Sequence, residues 1–483
     1  MKFNILGQDL QGNQRTFIYD NTANSLHDAD GNEIAYPIMQ RLSAGEIAAT
    51  FSKEVPLGKS KDIAILKIQL GLSCNYSCDY CSQRFVERPP ETSKKDIQNF
   101  IDKLKDINFD EQRGLKIELW GGEPLVYWKT IKPLVEALQY YFRDWTNKPR
   151  FSMITNGSLL TREICHWLYI NNFAVAISHD GPGQAVRGDD PLEDPAKRQI
   201  ILDFYKKMHP FNRISFNSML NKQNPSRKAI YDWFVAFTGD PSVVLGEGSI
   251  IDAYDDGGMA NVLATKAEHF AFRKQAFNDI HGNNGQIGFM GVVGKIDAFT
   301  RSVLSQVPAE TLPQKCGMDD PHIVATDLRG NVITCQNVSV DQVSHNGESH
   351  FVGTIDKIEE VKITTSTHWS QRPHCSGCPV LHLCSGSCMY LEGENWYASC
   401  QNSFTDNVSL FALSLFQITG FVPRFIDAPH LPDERKDIWG DMLTHTEKPK
   451  KKSFPIKVVQ EKTTVNGAEV FEAAKVEAVN DGE

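Results

Sequence analysis

From residue 60 onward, short apolar runs alternate with longer stretches of helical period. The strand-like runs are IAILKIQL (63–70), LKIELW (115–120), FSMIT (151–155), FAVAIS (173–178), RISFNSML (213–220) and SVVLGEGSII (242–251). The stretches between and after them include SKKDIQNFIDKLKDI, WKTIKPLVEALQYYF, TREICHWLYIN, RQIILDFYKKM, RKAIYDWFVAFT and TKAEHFAFRKQAFNDIH. This alternation predicts an α/β fold of repeated βα units around a parallel sheet. Six units are too few for a closed eight-stranded barrel, so we expect an incomplete barrel or an open sheet.

Polar segments follow the first four predicted strands. A cysteine triplet comes after the first strand, GGEP (121–124) after the second, TNG (155–157) after the third and SHDGP (178–182) at the end of the fourth. In parallel α/β folds, ligands bind at the carboxyl ends of the strands. A single Gly-Gly-Glu-Pro is more often an ordinary turn, but four such segments along one edge favour a binding site.

The triplet has the spacing C-x3-C-x2-C, formed by Cys74, Cys78 and Cys81. A structural zinc site needs a fourth ligand, and the nearest other thiol, Cys165, lies in a predicted helix where a buried, inert cysteine is expected. Three cysteines suit a [4Fe–4S] cluster that leaves one iron open to an outside ligand.

Composition narrows the classes of protein. The chain has 483 residues, 41% of them hydrophobic, which is enough for about two or three domains. A formal net charge of −10 argues against a nucleic-acid partner. The N-terminal residues lack the pattern of a signal peptide and no apolar window is long enough to span a membrane, so we expect a cytoplasmic protein without a membrane partner. In that compartment, eleven cysteines indicate metal ligands rather than disulfides.

The triplet, with Tyr80 directly before its last cysteine, resembles the signature of the radical SAM family. In that family S-adenosylmethionine binds the open iron and is cleaved to a 5′-deoxyadenosyl radical, which abstracts hydrogen from the substrate. The resemblance implies that Gly121, Gly122 and Glu123 bind the methionine ammonium group. It further implies that Ser178 lies near the carboxylate or ribose, that Asn156 is another contact and that Tyr80 packs near the adenine.

A second group of thiols lies between residues 316 and 400: Cys316, Cys335, Cys375, Cys378, Cys384, Cys388 and Cys400. Their spacing alone leaves open a disulfide network or two zinc sites. Together with the upstream signature, the pattern resembles the SPASM domain, which holds two auxiliary [4Fe–4S] clusters. That resemblance implies three clusters in all, an outer auxiliary cluster on Cys375, Cys378, Cys384 and Cys400, and an inner one on Cys316, Cys335 and Cys388.

The inner set departs from the pattern of the anaerobic sulfatase-maturating enzymes. Those relatives have an additional cysteine after the first and an aspartate after the second, whereas here Gln336 follows Cys335. One iron of the inner cluster therefore lacks a cysteine ligand. Asp319, Asp320 and His322 are local candidates for that position, and a substrate thiolate is the softer alternative.

We expect five segments along the chain. Residues 1–60 form a β-hairpin that could recognise a leader peptide or cap the barrel, and residues 61–300 form the partial radical SAM barrel. Residues 301–405 form the SPASM domain, residues 406–445 a C-terminal helix and extension, and residues 446–483 a charged tail.

The resemblance predicts an enzyme that modifies a precursor peptide or small protein, with electrons from a low-potential donor of the flavodoxin or ferredoxin type. A thioether cross-link is the first expectation for the product and a carbon–carbon cross-link the second. Two alternatives are a radical SAM dehydrogenase of a small non-peptide substrate and a non-catalytic zinc-ribbon protein that binds peptides.

Overall fold

The computed structural model describes residues 1–34, 56–84, 86, 90–344, 347–364 and 367–441, and the backbone of four short strands beyond them. Residues 1–440 form one compact unit and residues 441–483 a second. Residues 35–55 of the predicted N-terminal element lie outside the described residues, as does most of the predicted tail.

The first unit contains fifteen described strands and eleven helices. The strands, in chain order, are β1 (Lys2–Gln8), β2 (Gln14–Asp20), β3 (Ser25–Asp28), β4 (Leu57–Gly58), β5 (Ile65–Gln69), β6 (Lys116–Trp120), β7 (Arg150–Thr155), β8 (Ala174–Ser178), β9 (Ile214–Leu220), β10 (Leu245–Ile250), β11 (Ile323–Asp327), β12 (Asn331–Ile333), β13 (Phe351–Thr354), β14 (Lys362–Ile363) and β15 (Val422–Asp427). The helices are α1 (Ile97–Lys103), α2 (Trp128–Tyr141), α3 (Arg162–Ile170), α4 (Pro195–Met208), α5 (Arg227–Thr238), α6 (Asp256–Asn261), α7 (Lys266–His281), α8 (Met290–Leu304), α9 (Leu381–Cys384), α10 (Gly393–Thr419) and α11 (Asp433–Lys436). The second unit contains β16 (Ile456–Val459), β17 (Lys462–Val465), β18 (Ala468–Phe471) and β19 (Lys475–Ala478), which pair as β16 with β19 and β17 with β18.

The main sheet has nine strands in the order β10-β9-β8-β7-β6-β5-β11-β12-β13. Strands β5 to β10 run parallel, each beside the next in the sequence, and β11 runs parallel to β5 on the other side. The parallel α/β fold with an open sheet is therefore confirmed. The sheet does not end with the barrel, because β12 and β13 continue it antiparallel beyond β11.

The two faces of the barrel strands differ in character. Along β9, alternate residues are buried, and Phe216 stacks on Phe234 of α5 with ring centroids 4.5 Å apart. The intervening residues Asn217 and Met219 are only partly buried and line a cavity on the opposite face. The two-residue period of each strand thus separates a helix-packed core from a cavity wall.

The helix predicted from the apolar residues 404–418 begins earlier in the structure than that apolar pattern does. Helix α10 begins at Gly393, so that Cys400 lies within it, and ends at Gly420, whose φ of +77° suits a glycine. It packs on α7, α8 and β15. Its first turns bury polar residues such as Ser399, whose hydroxyl accepts a hydrogen bond from the Ala253 backbone N–H at 2.9 Å. Hydrophobic periodicity therefore could not reveal its start.

The N-terminal hairpin belongs to a four-stranded antiparallel sheet with the order β15-β1-β2-β3, so segments from the two ends of the unit pair directly. Asn21, in the turn after β2, donates hydrogen bonds of 2.9 Å to the backbone carbonyls of Ser376 and Cys378. The sheet therefore supports the loop that contains the C-x2-C pair. Recognition of a leader peptide by residues 1–60 stays a prediction.

Candidate active site

The ends of β5, β6, β7 and β8 meet along one edge of the sheet. The backbone N–H of Glu123 donates to the carbonyl of Ser73 at 3.0 Å, and the side-chain amide of Asn156 donates to Asn75 at 2.9 Å. Asn75 lies between the first two cysteines of the triplet. The segments after β6 and β7 therefore hold the cysteine loop through direct hydrogen bonds.

The two glycines of the 121–123 segment allow backbones to approach closely. A Cβ on Gly122 would lie 2.5 Å from the Leu72 carbonyl oxygen and 2.6 Å from that of Ser73. A Cβ on Gly121 would lie 3.1 Å from the carbonyl oxygen of Gly71. The resemblance implied that these glycines bind the methionine ammonium group. The structure gives a further reason for glycine here, which is contact with the backbone that leads into Cys74.

The carboxylate of Glu123 is 1% exposed and accepts three hydrogen bonds. Its donors are the Leu125 backbone N–H at 3.0 Å, the Thr155 hydroxyl at 2.7 Å and the Asn156 backbone N–H at 2.7 Å. Burial raises the pKa of Glu123, although these donors oppose the rise. This carboxylate links β6 to β7, and its binding of an ammonium group stays a prediction.

Tyr80, Asp180 and Arg187 form a buried polar group that sequence reasoning did not identify. The Tyr80 hydroxyl donates to the Asp180 carboxylate and accepts a hydrogen bond of 2.7 Å from Arg187. Arg187 also lies 3.5 Å from the same carboxylate, which is 0% exposed. Burial raises the pKa of Tyr80, and Asp180 adds to the rise. Tyr80 was predicted to pack near the adenine and Asp180 lies within SHDGP, but Arg187 belongs to no motif.

A cavity of about 610 Å³ lies at this edge of the sheet. The first set of predicted residues, those for the catalytic cluster and S-adenosylmethionine, contributes Cys78, Tyr80, Cys81 and Ser178 to its lining, and Arg187 lines it as well. The second set, the three cysteines predicted for the inner cluster, also lines it: Cys316, Cys335 and Cys388. Residues separated by more than 200 positions in the sequence therefore face the same space. The other predicted residues of the first set do not line it: Cys74, Gly121, Gly122, Glu123 and Asn156.

The thiols of the triplet are free and partly buried. The Sγ of Cys74 accepts a hydrogen bond from the Tyr76 backbone N–H, and that of Cys81 from Gln83, both at 3.4 Å. Burial raises the pKa of the Cys78 thiol to about 11. Because iron binds the thiolate, metal binding must provide the free energy for release of this proton. Cys165 is buried in α3, away from this loop, and burial raises its pKa to about 12.

The four thiols assigned to the outer site surround one small cavity: Cys375, Cys378, Cys384 and Cys400. His374, Trp396 and Arg435 complete its wall, and no aspartate or glutamate of the described residues lines it. Four thiols around one enclosed space fit a cluster in which each iron has one protein ligand. The structure thus divides the seven downstream cysteines into the same two sets as the sequence.

The local candidates for the open inner position do not line the large cavity. Asp319 accepts a hydrogen bond of 2.7 Å from the Gln314 backbone N–H, and Asp320 accepts one of 2.8 Å from that of His322. The His322 ring contacts the Asp62 carbonyl at 2.7 Å. Asp319 keeps a second, buried carboxylate oxygen without a hydrogen-bond partner, so it is the local candidate that an experiment must address.

The part of the chain that the structure describes contains neither a site for a single metal ion nor a helix that could span a membrane. Within the described ranges, no three His, Cys, Asp or Glu side chains converge on a point that one metal ion could occupy. None of the helices in this part of the chain is long and apolar enough to cross a membrane.

Comparison with known proteins identifies the barrel. Residues 68–217, which include the triplet and the ends of β5 to β8, match the model of the radical SAM superfamily. This segment is a radical SAM domain. A [4Fe–4S] cluster and S-adenosylmethionine are the cofactors that the family implies, and the free thiols of the triplet fit the cluster.

Two curated relatives share part of the chain. A radical SAM cyclopropyl synthase of Paramaledivibacter caminithermalis is 30% identical over 179 residues, which are 34% of this chain and 36% of that protein. A serine-type anaerobic sulfatase-maturating enzyme of Bacteroides thetaiotaomicron is 29% identical over 133 residues, 26% of this chain and 30% of that protein. The similarity therefore spans about a third of the length of these relatives.

About three quarters of the chain shares a fold with solved structures. Native anSMEcpe with bound AdoMet has a TM-score of 0.54 at 17% identity, covering 74% of this chain and 99% of that chain. Native anSMEcpe with bound AdoMet and Cp18Cys peptide has a TM-score of 0.52 at 18% identity, with the same coverage. The shared fold extends well beyond the segment that matches the family model.

Proposed function

We propose that this chain is a radical SAM peptide maturase, an enzyme that removes hydrogen from a ribosomally made peptide or small protein and installs an oxidative modification. One observation supports the proposal above the others. Thiols of the radical SAM triplet and thiols of the downstream inner set line a single cavity of about 610 Å³. A substrate in this space would lie between the place where hydrogen is removed and a site that can accept an electron.

In this proposal Cys74, Cys78 and Cys81 hold the catalytic cluster. With S-adenosylmethionine bound, that cluster supplies a radical able to take hydrogen from an unactivated carbon. Ser178 and Tyr80 line the cavity and would contact the cofactor directly. Gly121, Gly122, Glu123 and Asn156 would act mainly by fixing the cysteine loop, with any ammonium contact coming from the same segment.

Arg187 would provide a positively charged binding partner for S-adenosylmethionine. Its guanidinium lines the cavity beside Ser178, and its Nε is buried without a hydrogen-bond partner. Tyr80 and Asp180 hold the group in place because both contact its Nη1, the Tyr80 hydroxyl at 2.7 Å and the Asp180 carboxylate at 3.5 Å. A carboxylate is the ligand that a fixed guanidinium binds best, so we assign Arg187 to the carboxylate of S-adenosylmethionine.

The downstream cysteines would hold two further [4Fe–4S] clusters. Cys375, Cys378, Cys384 and Cys400 supply four ligands to the outer one, whereas Cys316, Cys335 and Cys388 supply three to the inner one. Removal of a hydrogen atom followed by formation of a new bond leaves one surplus electron and one proton. Cys316, Cys335 and Cys388 line the cavity wall, so a cluster held by them would be able to accept the electron. A donor or acceptor of the flavodoxin or ferredoxin type would exchange this electron with the protein.

A peptide is the substrate class that we favour. The related fold of anSMEcpe holds AdoMet and the Cp18Cys peptide in one structure. The open iron of the inner cluster could bind a peptide thiolate, because the three local candidates do not line the cavity. Such binding would hold a cysteine sulfur near the radical, which a thioether requires, and a carbon–carbon cross-link is the second expectation.

The test combines metal analysis with product analysis. Protein purified without oxygen should be brown, contain iron rather than zinc and form 5′-deoxyadenosine from S-adenosylmethionine and dithionite. Co-expression with short reading frames beside its gene should give a peptide that has lost two hydrogens. A colourless protein with bound zinc would indicate a non-catalytic peptide-binding protein. Turnover of a small alcohol or sugar, with no change in any peptide, would indicate a dehydrogenase.

The ligand of the open iron needs its own measurement. Spectra of the inner cluster should change when a cysteine-containing peptide is added and should be insensitive to Asp319→Asn. A change caused by Asp319→Asn in the presence of peptide would show that Asp319 binds the iron, and would leave this cluster a path for electrons only.

A further inference from the structure

We infer that Arg435 donates a charged hydrogen bond to the Cys400 thiolate and thereby raises the reduction potential of the four-cysteine site. The inference rests on the proposed function, because it assumes that this site holds a [4Fe–4S] cluster. It assigns a task to the C-terminal extension, which lies outside every cysteine motif of the chain.

The contact is direct. One terminal nitrogen of Arg435, Nη2, lies 3.3 Å from the Sγ of Cys400. The Nε of the same guanidinium donates to the Gln401 side chain at 3.2 Å, and its central carbon lies 4.6 Å from the ring centroid of Phe404. All three partners belong to α10. Arg435 is 8% exposed and lines the four-cysteine cavity.

The position of Arg435 is fixed by a second arginine. Arg273 of α7 donates to the backbone carbonyls of Glu434, Asp437 and Ile438 at 3.0, 3.2 and 3.2 Å. These carbonyls belong to α11 and the residues after it. Arg273 is 2% exposed, so α11 is held by contacts inside the protein and cannot turn Arg435 away from the thiol.

The positive charge of the Arg435 guanidinium is not neutralised by a carboxylate of the described residues. Among the described residues, no carboxylate lies within ion-pair distance of Arg435, and none lines the four-cysteine cavity. Reduction adds one negative charge to a cluster. A buried cation that donates to a ligand sulfur therefore stabilises the reduced form more than the oxidised form. Without Arg435 the potential of this site should be lower.

A raised reduction potential would make the four-cysteine site the place where the surplus electron of the proposed reaction is held. The neighbouring residues His374 and Ser376 are exposed, so the four-cysteine site also lies close to the surface. A raised potential would hold the electron there until an external protein removes it. Arg435 is a positioning and tuning residue in this account and does not contact the substrate.

The experiment compares three full-length variants by potentiometric titration monitored by electron paramagnetic resonance. Arg435→Gln removes the charge but keeps a hydrogen-bond donor. Lys436→Gln removes the same charge from the next residue, which pairs with Asp433 and contacts no cysteine. The signal of the four-cysteine site is identified by its change in Cys400→Ser. Iron content is measured for every variant.

We expect Arg435→Gln to lower the potential of this signal while Lys436→Gln leaves it unchanged, with equal iron in both. A shift in Arg435→Gln no larger than that in Lys436→Gln would overturn the inference. If Arg435→Gln fails to retain iron, Arg435→Met decides, because it also removes the charge and keeps an apolar side chain of similar length. A lowered potential in Arg435→Met supports the inference and an unchanged one overturns it. Absence of iron from the four-cysteine site in the unsubstituted protein would instead overturn the proposed function.

Discussion

Gly122 is the residue at which two loops of the active site approach most closely. Its missing Cβ leaves room for the backbone carbonyls of Leu72 and Ser73. Gly122→Ala should push the cysteine loop outward and remove the iron of the catalytic cluster while the two downstream clusters keep theirs. Iron analysis with 5′-deoxyadenosine formation measures this outcome. Gly294→Ala is the matched control, because a Cβ there meets no atom within 4 Å and should leave both readouts unchanged.

Glu123 has a structural task that can be separated from cofactor binding. Its carboxylate accepts hydrogen bonds from three donors, whereas the glutamine side chain has one acceptor oxygen. In Glu123→Gln the new amide nitrogen must face a backbone N–H, so we expect a loss of about 1.5–3 kcal/mol in the free energy of unfolding. The affinity for S-adenosylmethionine should fall roughly ten- to a hundredfold with it.

Denaturant titration and equilibrium binding measure the two effects. Glu163→Gln, on the exposed side of α3, removes the same charge without these contacts and serves as control. Reduced stability with unchanged affinity would restrict Glu123 to a structural role. Reduced affinity with unchanged stability would indicate direct contact with the ammonium group.

At the scale of elements, three hairpin turns share the pattern D-x-x-G-N at residues 9–13, 28–32 and 327–331. In each, the aspartate accepts hydrogen bonds from the backbone N–H groups two and four residues later, and the glycine has a φ between +79° and +89°. Side-chain capping of this kind stabilises a five-residue connection between antiparallel strands. The repeat was visible in the sequence, but the hydrophobic pattern gave no reason to look for it.

The third turn connects β11 to β12 and lies four residues before Cys335. Asp327→Ala should cost about 1–3 kcal/mol in the free energy of unfolding and lower the iron content of the inner site, because β12 leads directly into that cysteine. Asp9→Ala removes the same hydrogen bonds from the turn between β1 and β2, far from that site in the sequence. Similar iron loss in both variants would mean that the effect is general destabilisation.

The barrel strands were predictable because each one combines a short apolar run with flanking turns. Helices α6 and α8 were not predicted, since each contains two glycines that weaken the helical signal. The early part of α10 was missed because its buried side chains are polar and hydrogen-bonded. Periodicity detects burial of apolar groups only, so the polar residues at the start of α10 gave no such signal.

For the site, the sequence identified ligands more readily than the residues that support them. The spacing of the downstream cysteines left disulfides and zinc sites open, and only the resemblance to the SPASM pattern implied their division into two sets. Arg187 and Arg435 belong to no spaced motif and reach their partners through tertiary packing. The triad of Tyr80, Asp180 and Arg187 joins residues about a hundred positions apart, and no local pattern encodes such a contact.

At the scale of the whole molecule, the iron count tests the architecture. Three [4Fe–4S] clusters require about twelve iron atoms per chain after anaerobic reconstitution. Replacement of Cys74, Cys78 and Cys81 by alanine should remove about a third of the iron and abolish reductive cleavage of S-adenosylmethionine. Cys165→Ala, which alters a buried thiol outside all three sets, should leave the iron unchanged. Cleavage that persists in the triple variant would disprove the assignment of the catalytic cluster.

Stability should depend on pH through buried histidines. His350 is 0% exposed, and burial lowers its pKa from 6.5 to about 4. Burial also lowers the pKa of His269 to about 4. Between these values the unfolded chain binds the proton and the folded chain does not, so stability falls as the pH decreases below 6.5. For His350 the loss between pH 7 and pH 5 should be about 2 kcal/mol in the free energy of unfolding.

Denaturant titrations of the protein at the two pH values measure this loss. His350→Gln cannot take up the proton, so its stability should vary less between pH 7 and pH 5 than that of the unsubstituted protein. An equal dependence in both proteins would assign the effect to other groups.

Strand β11 lies beside β5, and this pairing has a geometric consequence. One ladder of backbone hydrogen bonds joins the strand that precedes the catalytic cysteine loop to the hairpin that precedes Cys335. The spacing between two redox centres would then be set by the roughly 4.8 Å repeat of a sheet rather than by a flexible linker. Because electron tunnelling falls steeply with distance, two clusters held in this way would exchange electrons over a gap that is set by the sheet and not by motion between domains.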